Sequence, residues 1–296
     1  RDDVESRGLG DVYKRQIFLC FLSKICYNNT LEQKESGFAL GENSTVDGVR
    51  AVELFYRPIK NTDSGRVTFL QSQTRLNSPA MGTLMPADYL PVAQLSDRCV
   101  SIFKLALVQL LQALGKFHER EVDVDWASVF MPARFLRQTE APRVVADYCD
   151  KFGVKYERVC FELSPDVLDE ADSTAADNVA LMRRQGFHFL LTGFGTEGFK
   201  MLKTAEFKVD NIMLDGSVAQ VLGKSDRYDT CVNSLLNFVF DLYAEVIADG
   251  ITDDKQVKQL SGMQCLYYSG ENAGKYIAER YLSLIHISEP TRLDVI

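Results

Sequence analysis

Residues 52–79 read VELFYRPIKNTDSGRVTFLQSQTRLNSP and contain two runs rich in β-branched and aromatic residues. The runs cover roughly residues 51–57 and 66–72. Between them, the polar segment KNTDSGR at 60–66 has the composition of a turn. The stretch therefore predicts two consecutive strands joined by a short connection.

Six further strand-like runs follow, most of them separated by helical patterns. They lie at about 124–130, 157–163, 187–192, 208–214, 244–249 and 263–268. Helical spacing of apolar residues is clearest from Ser96 to Leu114 and recurs at about 227–243, and Ser164-Pro165-Asp166 has the N-cap and first-turn proline of a third helix. Strands that alternate with helices predict an α/β fold with a parallel sheet, and their number favours a closed (β/α)8 barrel.

The composition excludes several classes of partner. The chain has 296 residues and a formal net charge of −8, and nucleic-acid binding needs cation-rich surfaces instead. We expect no nucleic-acid partner and no docking on anionic lipid, and the early apolar run 17–22 is too short to span a bilayer. The seven cysteines include no CxxC pair, which favours buried thiols in a reducing compartment, the cytoplasm.

Both ends of the chain resemble translations of a sequencing adapter. The two matching segments are RGLGDVYKRQ at 7–16 and LSLIHISEPTR at 282–292. We therefore expect residues 1–16 and 282–296 to be adapter-like artefacts that pack against nothing. Residues 23–48 are polar and patternless, and we therefore expect residues 17–49 to be a linker or the tail of a missing upstream domain.

The middle of the chain, about residues 50–281, resembles an EAL domain, the bacterial cyclic di-GMP phosphodiesterase family. The family opens on a Tyr-Gln-Pro-Ile strand, a Thr-Gly turn and the Glu-Ala-Leu signature, and residues 52–79 follow that layout. Later family blocks follow in order: MPADYLPVAQL at 85–95, FELSP at 161–165, GFGTEGFKML at 193–202, VDNIMLD at 209–215 and VIADGITDDKQ at 246–256. The resemblance implies a barrel of the EAL type.

The resemblance also implies a two-metal attack of water on a phosphodiester, with ligands at the C-terminal ends of the barrel strands. Most of the matching positions hold residues that do not serve as carboxylate metal ligands: Gln71, Phe130, Pro165, Thr192 and Gly193. Met213 stands in place of the family's lysine. Glu162 and Asp215 are retained, and Asp249 is a shortened substitute for a glutamate. Two hard dications need more oxygen ligands than these residues supply, so we expect a degenerate phosphodiesterase with no catalytic residue, metal or cofactor.

Five residues form the candidate ligand site: Arg75, Phe130, Glu162, Asp215 and Asp249. Arg75 matches the arginine that helps hold the dinucleotide in the family, and the alternative for it is a surface ion pair. Phe130 has the ring to stack on a guanine, or it simply fills the pocket. For Glu162 the alternatives are a relic ligand and a structural hydrogen bond, and for Asp215 a site carboxylate and a loop cap.

Three functional hypotheses follow from this pattern. The first is a non-catalytic signalling domain that acts through a protein partner in cyclic di-GMP-related regulation. The second is a receptor that binds cyclic di-GMP without hydrolysis, with binding expected to be weak. The third is an active phosphodiesterase, which the substituted mouth disfavours. Site chemistry has to decide among them, because one fold supports many functions.

Overall fold

The central sheet closes on itself through the strand β1, Val52–Asn61, which pairs with the strands at both of its ends. The computed structural model describes residues 20–21, 23, 45–46, 49–117, 119, 121–169 and 173–288. The other barrel strands are β2 (Val67–Ser78), β4 (Trp126–Phe130), β5 (Val159–Leu163), β6 (His188–Phe194), β7 (Asn211–Leu214), β8 (Glu245–Ala248) and β9 (Tyr267–Tyr268). The spatial order is β1-β9-β8-β7-β6-β5-β4-β2, and a β1–β2 pairing completes the circle. The predicted closed eight-stranded α/β barrel is confirmed.

The direction of β1 departs from the prediction of a parallel sheet. From β2 to β9 each pair of neighbours is parallel, but β1 is antiparallel to β9, with Asn61 opposite Tyr267. The reason is the short turn that follows β1, in which the amide of Asn61 donates to the carbonyl of Arg66 at 2.9 Å. A connection this short reverses the chain, whereas a parallel neighbour needs a long crossover.

Helices connect most of the barrel strands. Their bounds are α1 (Pro86–Ala93), α2 (Arg98–Lys116), α3 (Ala133–Leu136), α4 (Ala141–Phe152), α5 (Thr174–Gln185), α6 (Gly216–Ala219), α7 (Asp226–Asp241) and α8 (Asp254–Gly262). The predicted helices at 96–114 and 227–243 are confirmed as α2 and α7. The helix predicted to begin at Ser164 is wrong, because only a single 3-10 turn, Pro165–Leu168, forms there. The crossover helix α5 begins later and ends at Gly186, whose φ of 110° suits glycine.

One side chain from each barrel strand fills the interior of the barrel. We call these eight residues the plug: Ile59, Phe69, Trp126, Cys160, Leu190, Met213, Ile247 and Tyr267. Phe69 is central to it, because its ring stacks on Trp126 with centroids 4.1 Å apart and also meets Tyr267 at 4.8 Å. The plug is therefore a continuous apolar layer, and the barrel interior is a packed core.

The chain divides into two compact units. One comprises Arg1–Glu53 and Thr74–Leu107, and the other comprises Leu54–Gln73 and Val108–Ile296. In the first unit, the end of β2 pairs antiparallel with β3, Gly82–Leu84, and the hydroxyl of Tyr89 donates to the carbonyl of Thr74 at 3.1 Å. The second unit contains the plug and the helices from α3 onward.

The expectation that the C-terminal segment packs against nothing is wrong at its first residue. A 3-10 helix covers Glu279–Ser288, and Leu282 is fully buried. The predicted artefact at 1–16 lies outside the described residues, as does most of the predicted linker at 17–49.

A single helix among the described residues, Arg98–Lys116, is long and apolar enough to cross a membrane by length and composition. However, 72% of its apolar window is buried inside the protein. The core helix of a soluble protein passes the same test, so the helix is weak evidence for a membrane span.

We expect Phe69→Ala to destabilise the protein by about 3–5 kcal/mol, since it removes a ring that contacts two aromatic neighbours in a closed layer. Urea unfolding followed by tryptophan fluorescence measures this loss. The control is Leu202→Ala, because Leu202 is 86% exposed and its removal should change stability by less than about 0.5 kcal/mol. Equal effects of the two substitutions would contradict the role of the plug.

Candidate functional site

A polar layer lies directly above the plug, at the C-terminal end of the barrel. Because strand side chains alternate with a period of two, the residue two positions beyond each plug residue faces the same side. We call six of these residues the mouth layer: Arg57, Gln71, Ser128, Glu162, Asp249 and Ser269. In the reversed strand β1 the mouth residue precedes its plug partner, and so Arg57 comes before Ile59 in sequence.

Arg57 links two sides of the mouth. Its Nε donates to Oε1 of Gln71 at 2.8 Å, and its Nη2 donates to Oδ2 of Asp249 at 2.8 Å. The side chain is only 14% exposed, and its guanidinium lies 5.0 Å from the centre of the Tyr276 ring. An arginine fork with two directed bonds is held in one orientation.

Gln71 connects Arg57 to Glu162 through hydrogen bonds at the two ends of its amide. The amide Nε2 of Gln71 donates to Oε2 of Glu162 at 2.9 Å and lies 3.8 Å from the sulfur of Met213. The amide oxygen accepts from Arg57 and, at 3.4 Å, from the hydroxyl of Tyr276. Since the oxygen faces a cation and the nitrogen faces a carboxylate, the two ends of the amide are distinguishable by their partners.

The two mouth carboxylates have pKa values shifted in opposite directions. Burial raises the pKa of Glu162, although Gln71, Arg57 and Ser128 partly counter it. Burial also acts to raise the pKa of Asp249, but the charge and hydrogen bond of Arg57 outweigh it, together with bonds from Ser269 and the amide of Gly250, so the pKa of Asp249 is lowered. Asp249 is therefore the firmly ionised member of the pair.

Of the predicted site residues, the network joins Glu162 and Asp249, which Gln71 and Arg57 bridge. Phe130 ends β4 and is the register partner of Glu162. Asp215 instead caps helix α6, where its Oδ1 accepts from the amide and hydroxyl of Ser217 at 2.9 and 2.6 Å, which is the loop-capping alternative.

Arg75 lies in β2, four residues beyond Gln71, and belongs to the first unit. Its side chain is partly buried and makes an interaction of its own.

The remaining positions that the resemblance assigns to chemistry hold neutral groups. Thr192 donates its hydroxyl to the carbonyl of Leu163 at 3.1 Å, and Met213 belongs to the apolar plug. Within the described part of the chain, no group of three or more His, Cys, Asp or Glu side chains is placed to hold a metal ion. The mouth therefore does not fit a two-metal centre.

Arg57 is a site residue that was not among those predicted from the sequence. The signal was present, because the first strand reads Tyr56-Arg57-Pro58-Ile59 where the family writes Tyr-Gln-Pro-Ile. A cation at that position falls on the same strand face as the apolar Ile59. Such a residue needs an anion as its partner, and Asp249, 192 positions away in sequence, supplies it.

We expect the Arg57–Asp249 pair to contribute stability that depends on pH. Because the pKa of Asp249 is lowered on folding, its contribution is complete above its ordinary pKa and is lost as the pH falls through the lower, folded value. Urea unfolding from about pH 5 to about pH 2 should show wild-type stability falling more steeply than that of Asp249→Asn. The control Asp123→Asn alters a carboxylate that is 83% exposed and should keep the wild-type slope. Parallel profiles for wild type and Asp249→Asn would contradict the prediction.

Comparison with known proteins agrees with this architecture. The EAL domain family matches residues 48–276. An uncharacterized signaling protein of Caulobacter vibrioides is 25% identical over 74% of this chain and 27% of its own length. The cyclic di-GMP phosphodiesterase PdeR of Escherichia coli is 24% identical over 69% of this chain and 30% of its own length. The chain thus spans less than a third of these two relatives.

The fold is shared with solved structures at lower identity. The EAL domain of FimX from Pseudomonas aeruginosa, in a structure bound to c-di-GMP, aligns with a TM-score of 0.68 and 14% identity. That alignment covers 77% of this chain and 91% of the FimX chain. Since the family match extends over most of the sequence, the chain belongs to the EAL domain family.

Proposed function

We propose that this chain is a non-catalytic EAL domain that acts in cyclic di-GMP-related regulation through contact with a protein partner, in the cytoplasm. The observation that carries the proposal is the chemistry of the strand ends. Where the family's mechanism calls for metal-binding carboxylates, a ligand asparagine and a lysine, this chain has an amide at 71, a hydroxyl at 192, an aromatic ring at 130 in place of the asparagine, and a thioether at 213 in place of the lysine.

The two carboxylates that remain in the mouth support the proposal. Asp249 is bonded to Arg57, and Glu162 accepts from Gln71 and Ser128. Hydrolysis by two metals requires protein ligands that hold both ions, because it is the ions that would lower the pKa of a bound water. Here both oxygens of Asp249 and Oε2 of Glu162 already accept from donors of the protein itself, and a dication would have to displace Arg57 to reach Oδ2 of Asp249.

The barrel has nevertheless kept its apolar plug and its closed strand order. A protein whose mouth chemistry has changed while its frame persists suits a role in which the frame itself is recognised. The cytoplasmic assignment is supported by the six cysteines that the structure describes, none of which forms a disulfide.

A second candidate function is a cyclic di-GMP receptor that does not hydrolyse its ligand. Phe130 favours it, because the ring ends β4 beside Glu162 and is partly exposed, as a stacking surface must be. The structure of the FimX EAL domain with c-di-GMP shows that a domain of this fold binds the dinucleotide. Against tight binding here, Glu162 and Asp249 place negative charge in the mouth that the ligand's phosphates would meet.

The catalytic prediction is that the purified full chain does not hydrolyse cyclic di-GMP in the presence of Mg2+ or Mn2+. Product formation followed by chromatography should match a no-enzyme control, with Escherichia coli PdeR assayed in parallel as the positive control. Turnover above that background, abolished both by a chelator and by Glu162→Gln, would overturn the proposed function.

The ligand prediction is that cyclic di-GMP binds with a dissociation constant in the micromolar range or weaker, which corresponds to about −8 kcal/mol or less favourable. Stacking on Phe130 contributes roughly 1–3 kcal/mol, and the repulsion from the mouth carboxylates and the cost of immobilising the ligand oppose it. Titration calorimetry on the full chain measures the constant. A nanomolar value that Arg75→Ala weakens at least about tenfold, or 1.4 kcal/mol, would support the receptor instead.

A further inference from the structure

The mouth layer contains one cationic side chain, Arg57, and its guanidinium lies between the amide oxygen of Gln71 and the carboxylate of Asp249. We propose that the guanidinium of Arg57 substitutes for the divalent cations of the family's mouth and holds Gln71 and Asp249 in a fixed arrangement without metal. This inference rests on the proposed non-catalytic function and adds to it a specific cause for the loss of metal affinity.

The geometry of Arg57 supports the assignment. Two separate nitrogens of one guanidinium bond an amide oxygen and a carboxylate oxygen, both at 2.8 Å. These acceptors come from β2 and from the end of β8, two elements that are not neighbours in the sheet. Arg57 therefore acts as a bridge across the mouth, as a metal ion would, although with directed hydrogen bonds in place of coordination.

The charges of the mouth are consistent with this role. Arg57 offsets Asp249 directly, while Glu162 is met by the neutral donors Gln71 and Ser128. A dication added to this arrangement would lie close to the guanidinium and be repelled by it. Arg57 already neutralises the carboxylate of Asp249. A divalent cation would therefore gain little from binding beside it.

Tyr276 covers the bridge from one side. Its ring lies 5.0 Å from the guanidinium carbon of Arg57, and its hydroxyl donates to Gln71 at 3.4 Å. The next residue, Ile277, begins the short strand β10, Ile277–Ala278, which pairs antiparallel with β1 opposite Tyr56. The last strand of the domain thus places an aromatic face over Arg57 and limits its exchange with solvent.

The inference predicts that Arg57→Gln converts the mouth into a site for a divalent cation. Gln is the residue that the family's Tyr-Gln-Pro-Ile strand has at this position, and the substitution leaves Glu162 and Asp249 without a cation. In chelator, the variant should have a Tm about 10 °C below that of wild type, because an ion pair whose side chains are only 14% and 25% exposed has lost one partner. Saturating Mn2+ should raise the Tm of the variant by about 5 °C and leave that of wild type unchanged.

Two further variants test whether the response belongs to the mouth. Arg66→Gln is the matched control, since the ion pairs of Arg66 with Asp123 and Asp125 are exposed, and it should neither lower the Tm by this amount nor respond to Mn2+. Adding Asp249→Asn to Arg57→Gln should abolish the Mn2+ response. An Arg57→Gln variant that shows no Mn2+ response, or whose response survives Asp249→Asn, would overturn the inference.

Direct Mn2+ titration of the wild-type protein, followed by electron paramagnetic resonance, keeps the inference testable even if Arg57→Gln does not fold. The wild type should show no saturable Mn2+ site in the mouth. A saturable site that is present in the wild type and lost in Asp249→Asn would overturn the role of Arg57. The catalytic assay is separate. Hydrolysis by the wild type would overturn the proposed function, whereas Mn2+ binding in the mouth of a wild type that does not hydrolyse would overturn only the inference on Arg57.

Discussion

The closure of the barrel through β1 is the constraint on which the rest of the structure depends. This strand pairs with β2 on one side and with β9 and β10 on the other, so it completes the hydrogen bonding of the sheet and leaves the ring without an edge. Closure forces alternate side chains of every strand into the same interior, first as an apolar plug and then as a polar mouth. The location and content of the mouth follow from that alternation.

Inside such a mouth, each charge needs a partner, because water is largely excluded. Arg57 and Asp249 satisfy each other, and the carboxylate of Glu162 is held by an amide and a hydroxyl. Both oxygens of Asp249 and Oε2 of Glu162 thus accept hydrogen bonds from groups of the protein itself. The frame tolerates the change because backbone pairing and apolar packing hold the barrel together, and neither depends on the mouth residues.

The sequence predicted more of the frame than of the mouth. All eight strands lie within a few residues of their predicted positions, and α2 and α7 are where the apolar spacing indicated. The failure at Ser164 has a physical reason: a serine followed by proline starts a helical turn, but only later residues decide whether the turn continues. The short connection after β1 was predicted, but the sheet as a whole was expected to be parallel, and a hairpin without a crossover helix makes β1 antiparallel to its neighbours.

What the sequence by itself determined is the composition of the layers: one apolar residue in each strand, then a polar residue two positions away, and an arginine where the family has glutamine. What only the tertiary structure decided is which polar residues meet. Arg57 and Asp249 are 192 positions apart, and Gln71 and Glu162 are 91 apart, so no local pattern pairs them. The same limit applies to Asp215, a retained carboxylate that the fold directs to a helix cap. The physical reason is that hydrogen bonds and ion pairs depend on distances of about 3 Å, which only closure of the ring establishes.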